Sequence, residues 1–354
     1  MSEQLRAEDL VLGLDTFGDV SVDLEGKEIS HAQTIRNLVA QGQLADQVGI
    51  DFIGIGEHHR SDYAVSSPET VLAAIASTTE RIKLGSAVTV LSSDDPVRVF
   101  ERFSTVDAIS SGRAEIIVGR GSFTESFPLY GLSMSDYEVL FEEKLQLWSE
   151  IAKGGPVTWQ GTTRAALSDQ DLYPPLESAT DQPRPFPTWV AVGGSPQSVV
   201  RAAKYDFPLM LAIIGGPAAR FAPFARVYRE AQEHFGHTGA HIGFHSPGHV
   251  AQTDAEAREQ LWPHYKVGHD RVGRGRGWPS MTREQFEQEA DHGALLVGSP
   301  ETVARRIADG MKALGAERFD LKYANGPMPH ELMMASIELY GNKVIPLVRE
   351  LMAS

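Results

Sequence analysis

The 354-residue chain contains no cysteine. Disulfides, thiolate nucleophiles and cysteine-ligated metals or clusters are therefore excluded. Basic residues are scarce against acidic ones: 32 Lys and Arg face 47 Asp and Glu, a formal net charge of −15 at pH 7. A field of that sign repels nucleic acid and anionic membrane surfaces, so neither is expected as a partner. A small anionic cofactor could still sit at a locally basic spot. Long apolar runs are missing too. The longest, around Phe207 to Ile214, falls far short of the ~20 residues that span a bilayer. Residues Met1 to Leu10 are mixed and acidic, with neither the basic patch nor the apolar core of a signal peptide. The expectation is a soluble, cytoplasmic protein.

What is present is an alternation of short apolar runs with longer amphipathic stretches. With 42% hydrophobic and 22% charged residues, the composition supports a large globular core. Leu10–Phe17, Asp51–Gly56, Ile82–Val90, Ala114–Gly119, Pro187–Val192, Pro208–Ile214, Ile242–Ala251 and Arg318–Tyr323 read as eight strands. Between them apolar residues recur at three- and four-residue spacing, as at Val71, Leu72 and Ile75 or at Val99, Phe103 and Val106. That spacing marks the buried face of a helix. Ser67-Pro68, Pro196 and Ser299-Pro300 read as helix starts, a serine cap or a proline in the first turn.

Strand–helix units in series predict an α/β fold with parallel strands and helical crossovers. Closing the sheet into a (β/α)8 TIM barrel removes every edge; a doubly wound open sheet is the alternative. A single domain over residues 1–354 is expected, with two insertions that break the rhythm. Residues 154–186, after the fourth helix, are rich in proline and polar side chains, with Val157–Trp159 and Tyr173–Leu176 as candidate short strands. Residues 263–294, near strand seven, read as an irregular lid carrying Gly273-Arg274-Gly275-Arg276-Gly277.

In such barrels the chemistry sits at the C-terminal strand ends, where this sequence gathers polar residues and glycines. Gly193-Gly194-Ser195 follows a strand and opens a helix. Glycines let backbone N–H groups approach an anion, and the helix N-terminus adds partial positive charge. A plain capped turn is the competing reading. Arg120 lies between Gly119 and Gly121 at the end of a buried strand, where an unpaired guanidinium is costly. It reads either as a phosphate clamp working with the 193–195 turn or as a salt-bridge partner of Asp94, Asp95 or Glu125. Glu57-His58-His59 ends strand two. Adjacent strand residues point to opposite faces, which disfavours a shared metal even with His245 and His249 as further ligands. One histidine facing the barrel mouth, titrating near neutrality and moving protons, is the preferred reading. Simple hydrogen bonding to loop backbone is the other.

Taken in order, Gly13-Leu14-Asp15-Thr16-Phe17-Gly18, Glu57-His58-His59, Leu84 to Arg98, Val118-Gly119-Arg120-Gly121 and Val192-Gly193-Gly194-Ser195 resemble the luciferase-like flavin-dependent monooxygenases across nearly the whole chain. The resemblance implies an FMN cofactor bound by Ala87, Val88, Arg120, Gly121, Gly193, Gly194 and Ser195, its phosphate on Arg120 and the Gly193-Gly194-Ser195 turn and its ring against strands three and four, over a non-prolyl cis peptide at Ala87–Val88. It implies His58 as the catalytic residue, and reduced flavin plus O2 oxygenating a small organic substrate. It further implies a homodimer, and a separate flavin reductase as supplier. Gly119 stands where luciferase has a reactive cysteine, which argues against light emission. Rival readings are an F420-dependent hydride-transfer enzyme, a metal-dependent barrel hydrolase using His58 or His59, and a non-catalytic flavin-binding protein.

Overall fold

The computed structural model describes residues 7–177 and 184–353. Eight strand positions close into a barrel. They are β1 (Val11–Thr16), β2 (Phe52–Ile55), β3 (Lys83–Ser86) continued by β4 (Thr89–Val90), β5 (Ala114–Gly119), β8 (Thr188–Val192), β9 (Leu209–Ala212), β10 (Ile242–Val250) and β12 (Arg318–Lys322). Every neighbouring pair is parallel, and β10 and β12 close the ring between β9 and β1. The open-sheet alternative is thereby ruled out. A further strand, β11 (Leu296–Gly298), pairs with the end of β10.

Alternation along the strands divides the interior in two. Leu12, Leu14, Ile53, Ile116, Leu209 and Phe319 point outward into a large core shared with the helices. Phe52, Ile117 and Met210 point inward and form a small separate cluster inside the barrel. The inward set contains few apolar side chains because charged ones replace them. Arg318, Asp320 and Lys322 alternate along β12, and all three are buried.

The helices are α1 (His31–Gln47), α2 (Pro68–Ala76), α3 (Pro96–Ile109), α4 (Ser126–Leu129), α5 (Tyr137–Ile151), α6 (Pro196–Lys204), α7 (Ala222–Phe235), α8 (Asp254–Arg274), α9 (Arg283–His292), α10 (Pro300–Leu314), α11 (His330–Leu339) and α12 (Ile345–Ala353). Ser195 and Ser299 cap α6 and α10 through their hydroxyls. Ser67 occupies the cap position of α2 without making that bond.

Three local expectations are corrected. The third strand, read as continuous from Ile82 to Val90, is split at Ala87–Val88, which is cis. In the excursion, β6 (Val157–Trp159) pairs antiparallel with β7 (Leu167–Gln170) and not with Tyr173–Leu176; 178–183 lie outside the described residues. β7 carries no apolar run to read, because only Leu167 packs against the core and its other side chains are exposed. The segment 263–294 is mostly helical. α8 runs through Pro263, although an interior proline costs a helix ~3 kcal/mol. Burial of Ala257 and Leu261 and the packing of Trp262 and Tyr265 on Phe286 of α9 override that cost.

Beneath the inward cluster, Arg318 donates to both Asp320 oxygens, at 2.9–3.2 Å, and to Glu115. It lies 4.0 Å from the centre of the Phe52 ring and 4.9 Å from that of Trp189. Removing one partner of a buried pair strands the other charge. Arg318→Met is therefore expected to lower unfolding free energy by about 3–5 kcal/mol in denaturant titrations. A loss below about 1 kcal/mol, in the range of a surface pair, would contradict this account.

Candidate active site

A cavity of about 540 Å³ opens at the C-terminal ends of the strands, where a barrel places its chemistry. One wall is apolar: Ala87, Val88, Ile117, Gly119, Ala191 and Met210. Close approach makes glycine necessary beside it. A Cβ on Gly54 would lie 2.7 Å from the Ala87 Cβ, and one on Gly119 would lie 2.9 Å from Val88 Cγ2.

At one end of this wall Arg120, Gly121, Gly193 and Ser198 line the rim. Gly194 adopts φ +112°, and among the described residues no atom beyond its two chain neighbours stands within 4 Å of where a Cβ on Gly193 would point. Ser195 Oγ accepts the Ser198 N–H and bonds its hydroxyl at 2.9 Å. Gly194 and Ser195 shape the turn without lining the cavity themselves. Gly121 is held by the Tyr137 hydroxyl, which donates to its carbonyl at 2.6 Å.

Arg120 does form an ion pair, but not with any of the three carboxylates expected from sequence. Its Nη1 donates to Glu138 Oε1 at 2.5 Å, and Arg201 Nη2 approaches the other Glu138 oxygen at 3.5 Å. Asp94 pairs instead with Arg102, Asp95 caps α3 and meets Arg164, and Glu125 meets Arg60. Glu138 is mostly exposed, at 64%. It is an exposed carboxylate standing between two guanidiniums.

His58 faces the cavity amid aromatic rings. It stacks on Tyr63 at 4.3 Å and meets Phe17 and Phe123 edge-on at 4.9 Å. Here the expectation of a near-neutral pKa fails. Burial, reinforced by the positive charge of Lys322, holds His58 down at about 3, so it is an uncharged imidazole at neutral pH. His59 also lines the cavity, because both residues lie beyond the end of β2 where strict alternation stops. Its Nε2 lies 2.8 Å from Glu57 Oε1, while Glu57 Oε2 accepts the Val90 N–H at 3.2 Å. This bridge ties the strand-two tip to the cis-bonded strand.

Reading the strand tips missed the floor. His245 of β10 bonds Asp15 of β1 through Nδ1 at 2.9 Å. Burial opposes its protonation, but the charge and hydrogen bond of Asp15, with Asp320 behind, outweigh it, and the His245 pKa is raised above the ordinary 6.5. Burial also pushes Asp320 up to about 7 against the pull of Arg318. Lys322 donates to the Ala324 carbonyl and lies 3.7 Å from Asp19. The signal was available: three charges at period two in Arg318-x-Asp320-x-Lys322 demand either water or the inside of a barrel.

α8 roofs the cavity with Tyr265, Gly268, His269 and Val272. Beyond its end Arg276 lies over both Phe123 and Trp278, at 5.2 and 5.3 Å from the ring centres. Among the described residues no three His, Asp or Glu side chains converge to hold a metal. His249 is buried against Gln260, and burial holds its pKa at about 4. Among the described residues no helix is long and apolar enough to cross a membrane.

The sequence pattern of the luciferase-like monooxygenases matches residues 16–318. The fold is similar to that of the monooxygenase RslO1 from Streptomyces bottropensis, with TM-score 0.80 and 23% identity over 95% of this chain and 99% of that one. It is similar to the oxygenating constituent of 3,6-diketocamphane monooxygenase from the CAM plasmid of Pseudomonas putida, in complex with FMN, with TM-score 0.75 and 21% identity over 95% and 98%. It is also similar to the coenzyme F420-dependent tetrahydromethanopterin reductase of Methanopyrus kandleri, with TM-score 0.68 and 19% identity over 95% and 99%. At such identities the likeness is one of fold.

The depressed pKa of His58 has a stability consequence. In the unfolded chain the imidazole takes up a proton near pH 6.5, whereas in the fold it does so only near 3. Stability should therefore fall as pH drops through that window. His249 acts in the same direction from about 4. His58→Phe is expected to flatten part of the acid-side loss in denaturant midpoints measured from pH 7 to pH 4. NMR of the wild-type protein should show no His58 titration between pH 5 and 8. A midpoint near 6.5 would refute this assignment.

Proposed function

Because the chain belongs to the luciferase-like monooxygenase family, whose members are oxidoreductases, we propose that it is an FMN-dependent monooxygenase oxygenating a small organic substrate. One observation carries the reading: a single cavity joins an apolar wall at Ala87, Val88 and Gly119 to a cationic, glycine-lined rim at Arg120 and Gly193. A planar ring with a phosphate tail needs those two surfaces side by side. The free space before Gly193 is the cradle a phosphate would fill, and the Glu138 carboxylate already occupies an anion's position on Arg120.

Bound reduced FMN would supply two electrons and activate O2, one oxygen atom going to the substrate and the other leaving as water. Arg120 would hold the phosphate by a charge-assisted bond, with Gly193 facing it and Gly194 and Ser195 shaping the turn that presents the N-terminal end of α6. Gly121, fixed by Tyr137, would keep the Arg120 loop in place. Ala87 and Val88 would support the ring. His58, uncharged, would donate or accept a hydrogen bond at the reacting end. The α8 roof, with Arg276 and Trp278 at its mouth, would limit water entry and is read as the lid over one barrel domain. Reduced flavin would come from a separate reductase, and the protein would act as a homodimer.

Loss of a charged hydrogen bond costs about 1.5–3 kcal/mol, and 1.4 kcal/mol is tenfold in Kd. Arg120→Ala should therefore weaken FMN binding at least about tenfold in flavin-fluorescence titrations, and Gly193→Val should weaken it without lowering thermal stability. Glu138→Gln should tighten it by freeing Arg120. Riboflavin, lacking the phosphate, should not distinguish these variants. Equal FMN affinity of Arg120→Ala and wild type, or preferential binding of F420, would overturn the assignment.

A further inference from the structure

The barrel interior below the cavity holds more carboxyls than cations. Arg318 and Lys322 face Glu115, Asp15, Asp19 and Asp320, and all but Asp19 are at most 9% exposed. Asp19 is itself nearly buried, its side chain 11% exposed beside Lys322. Two positive charges against four acids leaves a deficit of two. Uncompensated charge is expensive in such a place, so protons must make up the difference. His245 is the basic group positioned to carry one of them. Its Nδ1 is 2.9 Å from Asp15 Oδ2; its side chain is 12% exposed, and it lines the cavity. With Nδ1 committed to Asp15, Nε2 is left for the cavity. Among the described residues Asp15 Oδ1 is buried without a hydrogen-bond partner, so no donor among them competes with His245 there.

The groups bearing on His245 come from its neighbours in the barrel. β1 supplies Asp15, and β12 supplies Asp320 and Lys322; the first two favour the imidazolium and the third opposes it. β9, on the other side, is Leu-Met-Leu-Ala and contributes no titratable group. Gly13 is the reason the carboxyls fit together, since a Cβ there would lie 2.4 Å from Asp320 Oδ1.

We propose that His245, oriented by Asp15, is the proton donor of this cavity. The Nε2–H bond breaks and an O–H bond forms on an oxygen of a molecule held against the floor. The imidazolium becomes a neutral imidazole, and Nδ1 keeps its hydrogen on Asp15. The proton is restored from water through the cavity mouth. His245 is the catalytic residue of this step and Asp15 a positioning residue. His58, uncharged, serves as a hydrogen-bonding partner. As a step in turnover the proposal rests on the oxygenase reading; as a property of the dyad it does not.

The test uses the full chain and has two arms. In the first, histidine NMR of the flavin-free protein, with the His245 signal assigned by its loss in His245→Gln, follows protonation in wild type and in Asp15→Asn. The expected result is a wild-type midpoint above 6.5 that falls by at least one unit in Asp15→Asn, whose fold is checked by its unchanged amide spectrum. A wild-type midpoint at or below 6.5, or one that Asp15→Asn leaves in place, overturns the proposal. In the second arm, His245→Gln should bind FMN within twofold of wild type and lose at least tenfold in kcat, with loss of the alkaline limb of the kcat profile. Wild-type turnover and an unchanged alkaline limb in this variant would also overturn it. Failure of the wild-type protein to bind FMN would sink the oxygenase reading alone, because the titration arm contains no flavin.

Discussion

A guanidinium sealed inside the barrel organises this molecule. Arg318 lies between the faces of Phe52 and Trp189 and binds Asp320 and Glu115. Those carboxylates come from strands on different sides of the ring, so one cation ties β5 to β12 across the interior. The arrangement leaves the floor of the cavity ionic where an apolar core would ordinarily be expected. Everything above inherits that constraint. Asp320 is pushed toward neutrality, Asp15 is left to His245, and Lys322 turns to Asp19 and to the Ala324 carbonyl.

The same electrostatics separates the two histidines of the cavity. His58 sits among rings with a lysine nearby, and its protonation is suppressed. His245 sits on a carboxylate, and its protonation is favoured. One cavity thus presents a neutral imidazole on its aromatic side and a protonatable one on its floor. This division resembles other sites in which two titratable groups are pushed apart by their surroundings. At the far rim, Arg120 and Arg201 share Glu138 at the surface, where a carboxylate is cheaply displaced by a better-placed anion.

Much of this was legible in one dimension. The strand and helix rhythm predicts the closed barrel, and the glycines flanking Arg120 and preceding Ser195 mark the rim. The positions Ala87–Val88 and His58 all fall on the cavity. What was not legible has physical causes. The helix α8 crosses a proline and two glycines, which local propensity reads as breaks, and it persists because α9 buries its aromatic face. β7 has no hydrophobic signature, because only Leu167 of its four side chains is partly buried. The α2 start carries the serine and proline of a capped helix, yet the hydroxyl makes no cap bond.

By itself the amino-acid order determined that no thiol chemistry is open and that a glycine-rich turn stands between a strand and a helix at Gly193-Gly194-Ser195. It determined the barrel because hydrophobic period and turn residues are local properties. Protonation states and ion-pair partners were decided only by the tertiary structure. Asp15 and His245 are 230 residues apart, and Arg318 and Glu115 are 203 apart. A charge responds to whatever stands within a few ångströms of it and to how much water is excluded, and neither quantity is written in the spacing of residues along a chain.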